Sequence, residues 1–139
     1  MNLELKTPNK IEFEQIRNYI REFELDNREL KQDQFVAAYR NNELVGFGRL
    51  RERGDCTELC SLGVITTERR KGIGKAIVKE LLKRSKEELY LVCIIPDFFA
   101  PFKFQETLYY PKSIQEKIDY CTAELIVPEK YVAMKYMKN

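Results

Sequence analysis

Residues 69–82 read RRKGIGKAIVKELL. Arg69, Arg70 and Lys71 run into Gly72 and Gly74, and Lys75 follows. Ile73, Ile77, Val78, Leu81 and Leu82 then recur on one side of a helical wheel, with Lys71, Lys75, Lys79 and Lys83 at i, i+4 on another. The pattern predicts a helix over 72–85 entered through a glycine turn. A helix start carries unpaired backbone N–H groups and the positive end of the helix dipole. Glycines let an anion come close to that backbone. Bare backbone and positive charge together point to a phosphate. A solvated basic helix behind an ordinary turn would carry the same letters.

Two familiar phosphate motifs do not fit. GxGxxG requires a third glycine where Ile77 stands. A P-loop requires glycine at Arg69 and a hydroxyl residue at Ala76.

Working outward, TELCSLGVI (57–65) predicts a central strand before the turn, and LYLVCII (89–95) a buried strand after the helix. QFVAAYRN (34–41) and LVGFGRLRER (44–53) flank Asn42-Glu43 and predict a hairpin. NLELK (2–6), ETLYY (106–110) and YVAMKYM (131–137) predict further strands. Helices are expected behind a Thr7-Pro8-Asn9 cap, over 26–32, within DFFAPFKF (97–104) and over 113–121. The order βααβββαβαβαβ in 139 residues, with no repeat and no linker, predicts one α/β domain over 1–139.

Composition narrows the chemistry. Apolar residues make up 44% of the chain, enough for a core, and the net charge of +2 argues for no polyanion. Nucleic acid is not expected at 69–86, where Glu68, Glu80, Glu87 and Glu88 interrupt the charge and no aromatic is available for stacking. No apolar run suggests a membrane partner, and the polar start suggests no secretory signal. Cys56, Cys60, Cys93 and Cys121 then read as reduced thiols in a cytoplasm. The chain has no histidine, which removes Ser-His-Asp and Cys-His catalysis and makes a metal site unexpected. Acid and base work would fall to Glu, Asp, Tyr, Lys or Cys.

Arg69-Arg70-Lys71-Gly72-Ile73-Gly74 matches [RQ]-x-x-G-x-[GA], the acetyl-CoA signature of the GNAT superfamily of N-acetyltransferases. The resemblance extends over FVAAYRNNELVGFGRLRERGDCTELCSLGVITTERRKGIGKAIVKELL (35–82), and more weakly over LYLVCIIPDFFAPFKF (89–104). It implies a single domain with a mixed, mostly antiparallel twisted sheet, a splayed central strand pair and flanking helices. It also implies acetyl-CoA as co-substrate and direct attack by an acceptor amine in a ternary complex.

Carried over residue by residue, the backbone of Leu62, Gly63 and Val64 would hold the pantetheine arm. The Leu62 N–H would polarise the thioester carbonyl. The backbone from Arg70 through Lys71, Gly72, Ile73 and Gly74 to Lys75 would take the pyrophosphate, with Arg69, Arg70, Lys71 and Lys75 supplying charge. Ordinary sheet pairing is the other reading of 62–64.

Glu58 matches the general base of the histone-acetyltransferase branch; it could equally be salt-bridged, with Arg49 or Arg51. The tyrosine that many members carry after the fifth strand aligns with Phe99, and their glycine with Lys103. Tyr110, Tyr109 or Tyr120 could stand in as the acid, or simply pack. Phe99 would then lie on the core or against the pantetheine arm.

Phe98-Phe99, Pro111 and Cys121 resemble, more loosely, single-domain members similar to N-acetylglutamate synthase. That implies a small amino-acid-like amine acceptor, with Arg49 or Arg51 on its carboxylate, handled by a monomer or homodimer. A protein amine as acceptor and a non-catalytic CoA-binding module are the alternatives.

Overall fold

A computed structural model describes residues 2–138. The predicted hairpin joins β2 (Phe35–Arg40) to β3 (Glu43–Glu52). Asn41 and Asn42 both hold positive φ, 52° and 64°, and Arg40 pairs with Glu43. This is the two-residue turn whose twist matches the flanking strands, and asparagine tolerates the left-handed state it needs.

Ahead of the hairpin stand β1 (Glu4–Lys6) and α1 (Lys10–Glu22). Asn9 starts α1 in a reciprocal cap. Its Oδ1 accepts from the Glu12 N–H at 2.8 Å, while its own N–H donates to the Glu12 carboxylate at 3.1 Å. After the hairpin come β4 (Thr57–Val64), α2 (Ile73–Arg84), β5 (Leu89–Cys93), α3 (Pro96–Phe99), β6 (Phe104–Glu106), α4 (Lys112–Glu124) and β7 (Val132–Tyr136).

The strands hydrogen-bond in the order β1-β2-β3-β4-β5-β7-β6. The β4–β5 pairing is parallel, whereas β1–β2, β2–β3, β5–β7 and β6–β7 are antiparallel. Among the described residues the parallel register covers Thr57↔Leu89 and Glu58↔Tyr90, although β4 continues to Val64 and β5 to Cys93.

The chain divides into two compact units. The first takes the segments up to Leu50 and from Cys60 to Arg84. Strand alternation organises it. Phe47 faces outward to α1 and joins Phe13, Ile16, Ile20, Phe35 and Tyr39 in one core. Gly46 and Gly48, on the opposite face, lie under α2. A Cβ on Gly48 would come within 2.8 Å of both Ile77 and Leu81. The second unit takes Arg51–Leu59 and the segment from Ser85 onward. Cys56, Tyr90, Ile114 and Ala133 form its core, with Val92, Tyr110 and Ile118 against them.

Two expected elements differ. Residues 26–32 form no helix. Asp26 Oδ1 accepts the Arg28 N–H at 3.0 Å, and Glu24 and Glu29 sit at positive φ, so the chain turns twice before a short 3₁₀ turn at Gln32–Gln34. ETLYY (106–110) is strand only at Glu106, the last residue of β6. Thr107 Oγ1 captures the Tyr109 N–H at 3.0 Å, closing a local turn where a ladder would have continued.

All four cysteines are buried and free of disulfides. Burial pushes the Cys56 and Cys93 thiols up to about 11. Their thiolate fractions at pH 8 are therefore about 10² lower than for an ordinary exposed thiol. Alkylation of the folded protein should be correspondingly slow and should accelerate on unfolding in denaturant. Fast labelling of native Cys56 or Cys93 would contradict the buried packing.

Candidate functional site

The turn between β4 and α2 belongs wholly to the first unit. Arg70 and Gly72 adopt left-handed backbone, φ 67° and 82°, and bracket Lys71. Helix α2 begins at Ile73 with no acidic residue in its first turn, and the Ala76 N–H is the first to close onto the turn, at 3.1 Å from the Gly72 carbonyl. The N–H groups of Ile73, Gly74 and Lys75 thus belong to the helix end that an anion can occupy. Only at Gly72 does the backbone itself require glycine. Gly74 is helical, so its missing side chain leaves room rather than relieving strain.

The four basic residues divide by role. Arg69 is folded back. Its Nε donates to the Val64 carbonyl at 2.9 Å, and its guanidinium lies 5.0 Å over the Phe23 ring. Lys71 pairs with Glu68 at 3.6 Å, and Glu68 also takes Arg40. Arg70 and Lys75 are exposed and have no side-chain partner among the described residues. They are the cations free to meet a phosphate.

Just upstream, β4 is not a regular strand. Ser61 holds φ 50°, a left-handed residue inside a strand, which marks a bulge. Its hydroxyl donates to the Asp26 carbonyl at 3.0 Å, and the group is buried. Leu62, Gly63 and Val64 follow. Gly63 has a steric reason, because a Cβ there would lie 2.6 Å from the Phe47 ring. Sequence periodicity carries no sign of the Ser61 bulge, and serine is an unusual choice for it. The Asp26 side that receives it was equally silent.

Arg49 is fully buried. Its Nε donates to Gln34 at 2.8 Å and its Nη2 to the carbonyls of Arg28 and Glu29 at 2.8 and 2.9 Å. It is committed to the loop after α1 rather than paired with Glu58.

In the second unit Glu58 is 0% exposed. Lys117 Nζ lies 2.5 Å from one carboxylate oxygen and Arg53 Nη1 3.5 Å from the other. Arg53 reaches on to Glu116 and the Ser113 carbonyl of α4. The ion pairing foreseen for Glu58 is present, and Arg53 and Lys117 take part in it. Lys117 sits on the helix face of Ile114 and Cys121, where all three are buried. A lysine at that spacing was the available signal.

Phe99 is buried edge-on against Phe98 and Phe104, with centroids 4.9 and 5.9 Å away. Tyr110 is half-buried on the second core and donates to Gln115 at 3.0 Å. Lys103 takes the left-handed state, φ 72°, that the family's glycine would supply. Among the described residues no group of His, Cys, Asp or Glu is arranged for a metal. No helix is long and apolar enough to cross a membrane.

The chain is similar in structure to N-acetylglutamate synthase from Neisseria gonorrhoeae complexed with coenzyme A and N-acetyl-glutamate, at 13% identity and a TM-score of 0.76. That alignment covers 99% of this chain and 36% of the synthase, so the chain spans about a third of the synthase's length. Rv2747 from Mycobacterium tuberculosis, solved with CoA and NLQ, aligns at 17% identity over 98% of this chain and 99% of its own, with a TM-score of 0.76. Arabidopsis thaliana Naa50, solved with the bisubstrate analogue CoA-Ac-MVNAL, aligns at 17% identity over 99% and 100%, with a TM-score of 0.63. At these identities the likeness is one of fold. No curated protein sequence matches the chain significantly. The sequence profile of the acetyltransferase (GNAT) family matches residues 2–100, most of the chain, and with the glycine turn and the bulged fourth strand it establishes that this protein belongs to that family.

Proposed function

We propose that the protein binds acetyl-CoA and transfers its acetyl group to a primary amine by direct attack. The turn carries this reading: left-handed Arg70 and Gly72 feed a helix start with no acidic residue in its first turn, and Arg70 and Lys75 are exposed beside it. The backbone of residues 70–75 takes the pyrophosphate, and the backbone of Leu62, Gly63 and Val64 takes the pantetheine arm. The Leu62 N–H donates to the thioester oxygen, where negative charge grows as the amine attacks. Nitrogen forms the new bond to the carbonyl carbon and gives up a proton to water, the C–S bond breaks, and the thiolate leaves with an intrinsic pKa near ~8.5. It therefore departs without a strong acid.

The acceptor is a small amino-acid-like amine. Support comes from the similarity to two folds solved with CoA and a small ligand, one of them N-acetyl-glutamate. A peptide or protein amine is the second reading. The burial of Arg49 favours it, since that guanidinium is occupied by the loop and offers no ready clamp for a substrate carboxylate.

The test is an acceptor series followed by CoA release. Free amino acids, their α-amides, polyamines and short peptides are compared under one condition. A carboxylate clamp predicts that glutamate outruns its α-amide by roughly ten- to more than a hundredfold, the value of a charge-assisted contact. Equal rates would move the acceptor to the peptide reading. Acetyl-CoA that neither binds nor raises the melting temperature would overturn the assignment altogether.

A further inference from the structure

We propose that Ser61, Asp26 and Arg28 are positioning residues that aim the Leu62 N–H. The inference rests on the reading of that N–H as the thioester's hydrogen-bond donor.

The Leu62 N–H belongs to the peptide plane that joins Ser61 to Leu62, so rotation about the Ser61 backbone turns it directly. Ser61 holds φ 50°. Glycine would hold that conformation without strain, and a serine does not. What serine adds is its hydroxyl, buried and bonded to the Asp26 carbonyl at 3.0 Å.

Asp26 is itself fixed. It is buried, and its carboxylate takes the Arg28 N–H, Nε and Nη2, each at 3.0 Å. The carbonyls of Arg28 and Glu29 are in turn held by the fully buried Arg49 at 2.8 and 2.9 Å, while Gln34 takes its Nε. A continuous hydrogen-bonded chain thus runs from Arg49, through the loop after α1, to the bulge. Its last link sets the direction of one N–H. The printed links of that chain join Arg49, Gln34, the loop after α1 and Ser61, whereas the phosphate reading rests on residues 70–75, so the two roles can be tested separately.

The experiment needs no acceptor. Acetyl-CoA labelled with carbon-13 at the thioester carbonyl is bound to the protein, and the isotope-edited infrared carbonyl band is recorded. A hydrogen bond from Leu62 displaces the band to lower frequency than in free acetyl-CoA. We expect that displacement in the parent and its loss in Ser61→Ala, with acetyl-CoA affinity within about threefold of the parent in both. Ser61→Gly keeps access to positive φ without the anchor and should recover part of the displacement, which a merely structural serine would not predict. Arg28→Ala changes a side chain that is 25% exposed and lies outside the strand, and should reduce the displacement through Asp26. A parent-like band in Ser61→Ala and Arg28→Ala overturns the positioning role while leaving the Leu62 reading intact. An undisplaced band in the bound parent overturns the Leu62 reading, and the positioning role with it.

Discussion

Gly74→Glu should leave the protein folded and somewhat more stable, yet abolish binding of acetyl-CoA. Gly74 lies in the first turn of α2 with ordinary helical backbone, so a side chain there introduces no left-handed strain. Replacing a helical glycine gains about 0.5–1 kcal/mol. A carboxylate at a helix start adds about 0.3–1 kcal/mol through the dipole, where no acidic residue now stands. The same carboxylate competes for the N–H groups that the pyrophosphate would use and repels its charge. Each lost charge-assisted bond is worth about 1.5–3 kcal/mol, so two or more reduce affinity by over a hundredfold. Gly72 is a poorer probe, since its φ of 82° makes any substitution costly in the free protein too. The measurement is a thermal melt with and without acetyl-CoA, alongside a direct titration. A stable Gly74→Glu protein that binds acetyl-CoA within threefold of the parent would remove the phosphate from this turn.

The contrast between Gly72 and Ser61 explains how much could be read in advance. Gly72 advertises its left-handed backbone by being glycine, and the basic residues around it advertise the ligand. The hairpin was legible for a similar reason, because Asn41 and Asn42 are local turn residues between two apolar runs. Ser61 has the same kind of backbone but sits inside a run that reads as strand. Its conformation is held by a carbonyl 35 residues away, which no local pattern encodes. The expected helix over 26–32 gives way to a loop for a related reason. Asp26 takes the Arg28 N–H within the segment, and the buried Arg49 takes the Arg28 and Glu29 carbonyls from outside it. Glu58 was legible as a charged residue in a central strand, but its partner was not. Lys117 comes from a helix in the far half of the sequence, and Arg49, one of the two partners expected, is spent on the loop.

That pairing leads to the second large effect. Glu58→Gln should destabilise the protein by about 3–5 kcal/mol, the penalty for stranding a buried charge. The carboxylate is 0% exposed, with Lys117 at 2.5 Å and Arg53 at 3.5 Å. Glutamine keeps the shape but leaves Lys117 facing a neutral amide. Arg53 is also held by Glu116 and the Ser113 carbonyl. Removing both ends in Glu58→Leu with Lys117→Leu should restore most of the stability, since a buried pair exchanged for apolar side chains is often neutral.

Catalysis separates this clasp from a base. If Glu58 only fastens α4 to its strand, the folded Glu58→Gln protein, kept below its lowered melting temperature, should turn over within about threefold of the parent. For both proteins kcat/KM should then rise tenfold per pH unit toward the amine's own pKa near ~10, because only the neutral amine attacks. A base would behave differently. Turnover in Glu58→Gln would fall by about 10²–10⁴-fold at neutral pH, and the deficit would shrink as the amine deprotonates unaided. A variant as stable as the parent with that pH-dependent deficit would return Glu58 to the reacting centre and require the Lys117 pair to open during turnover.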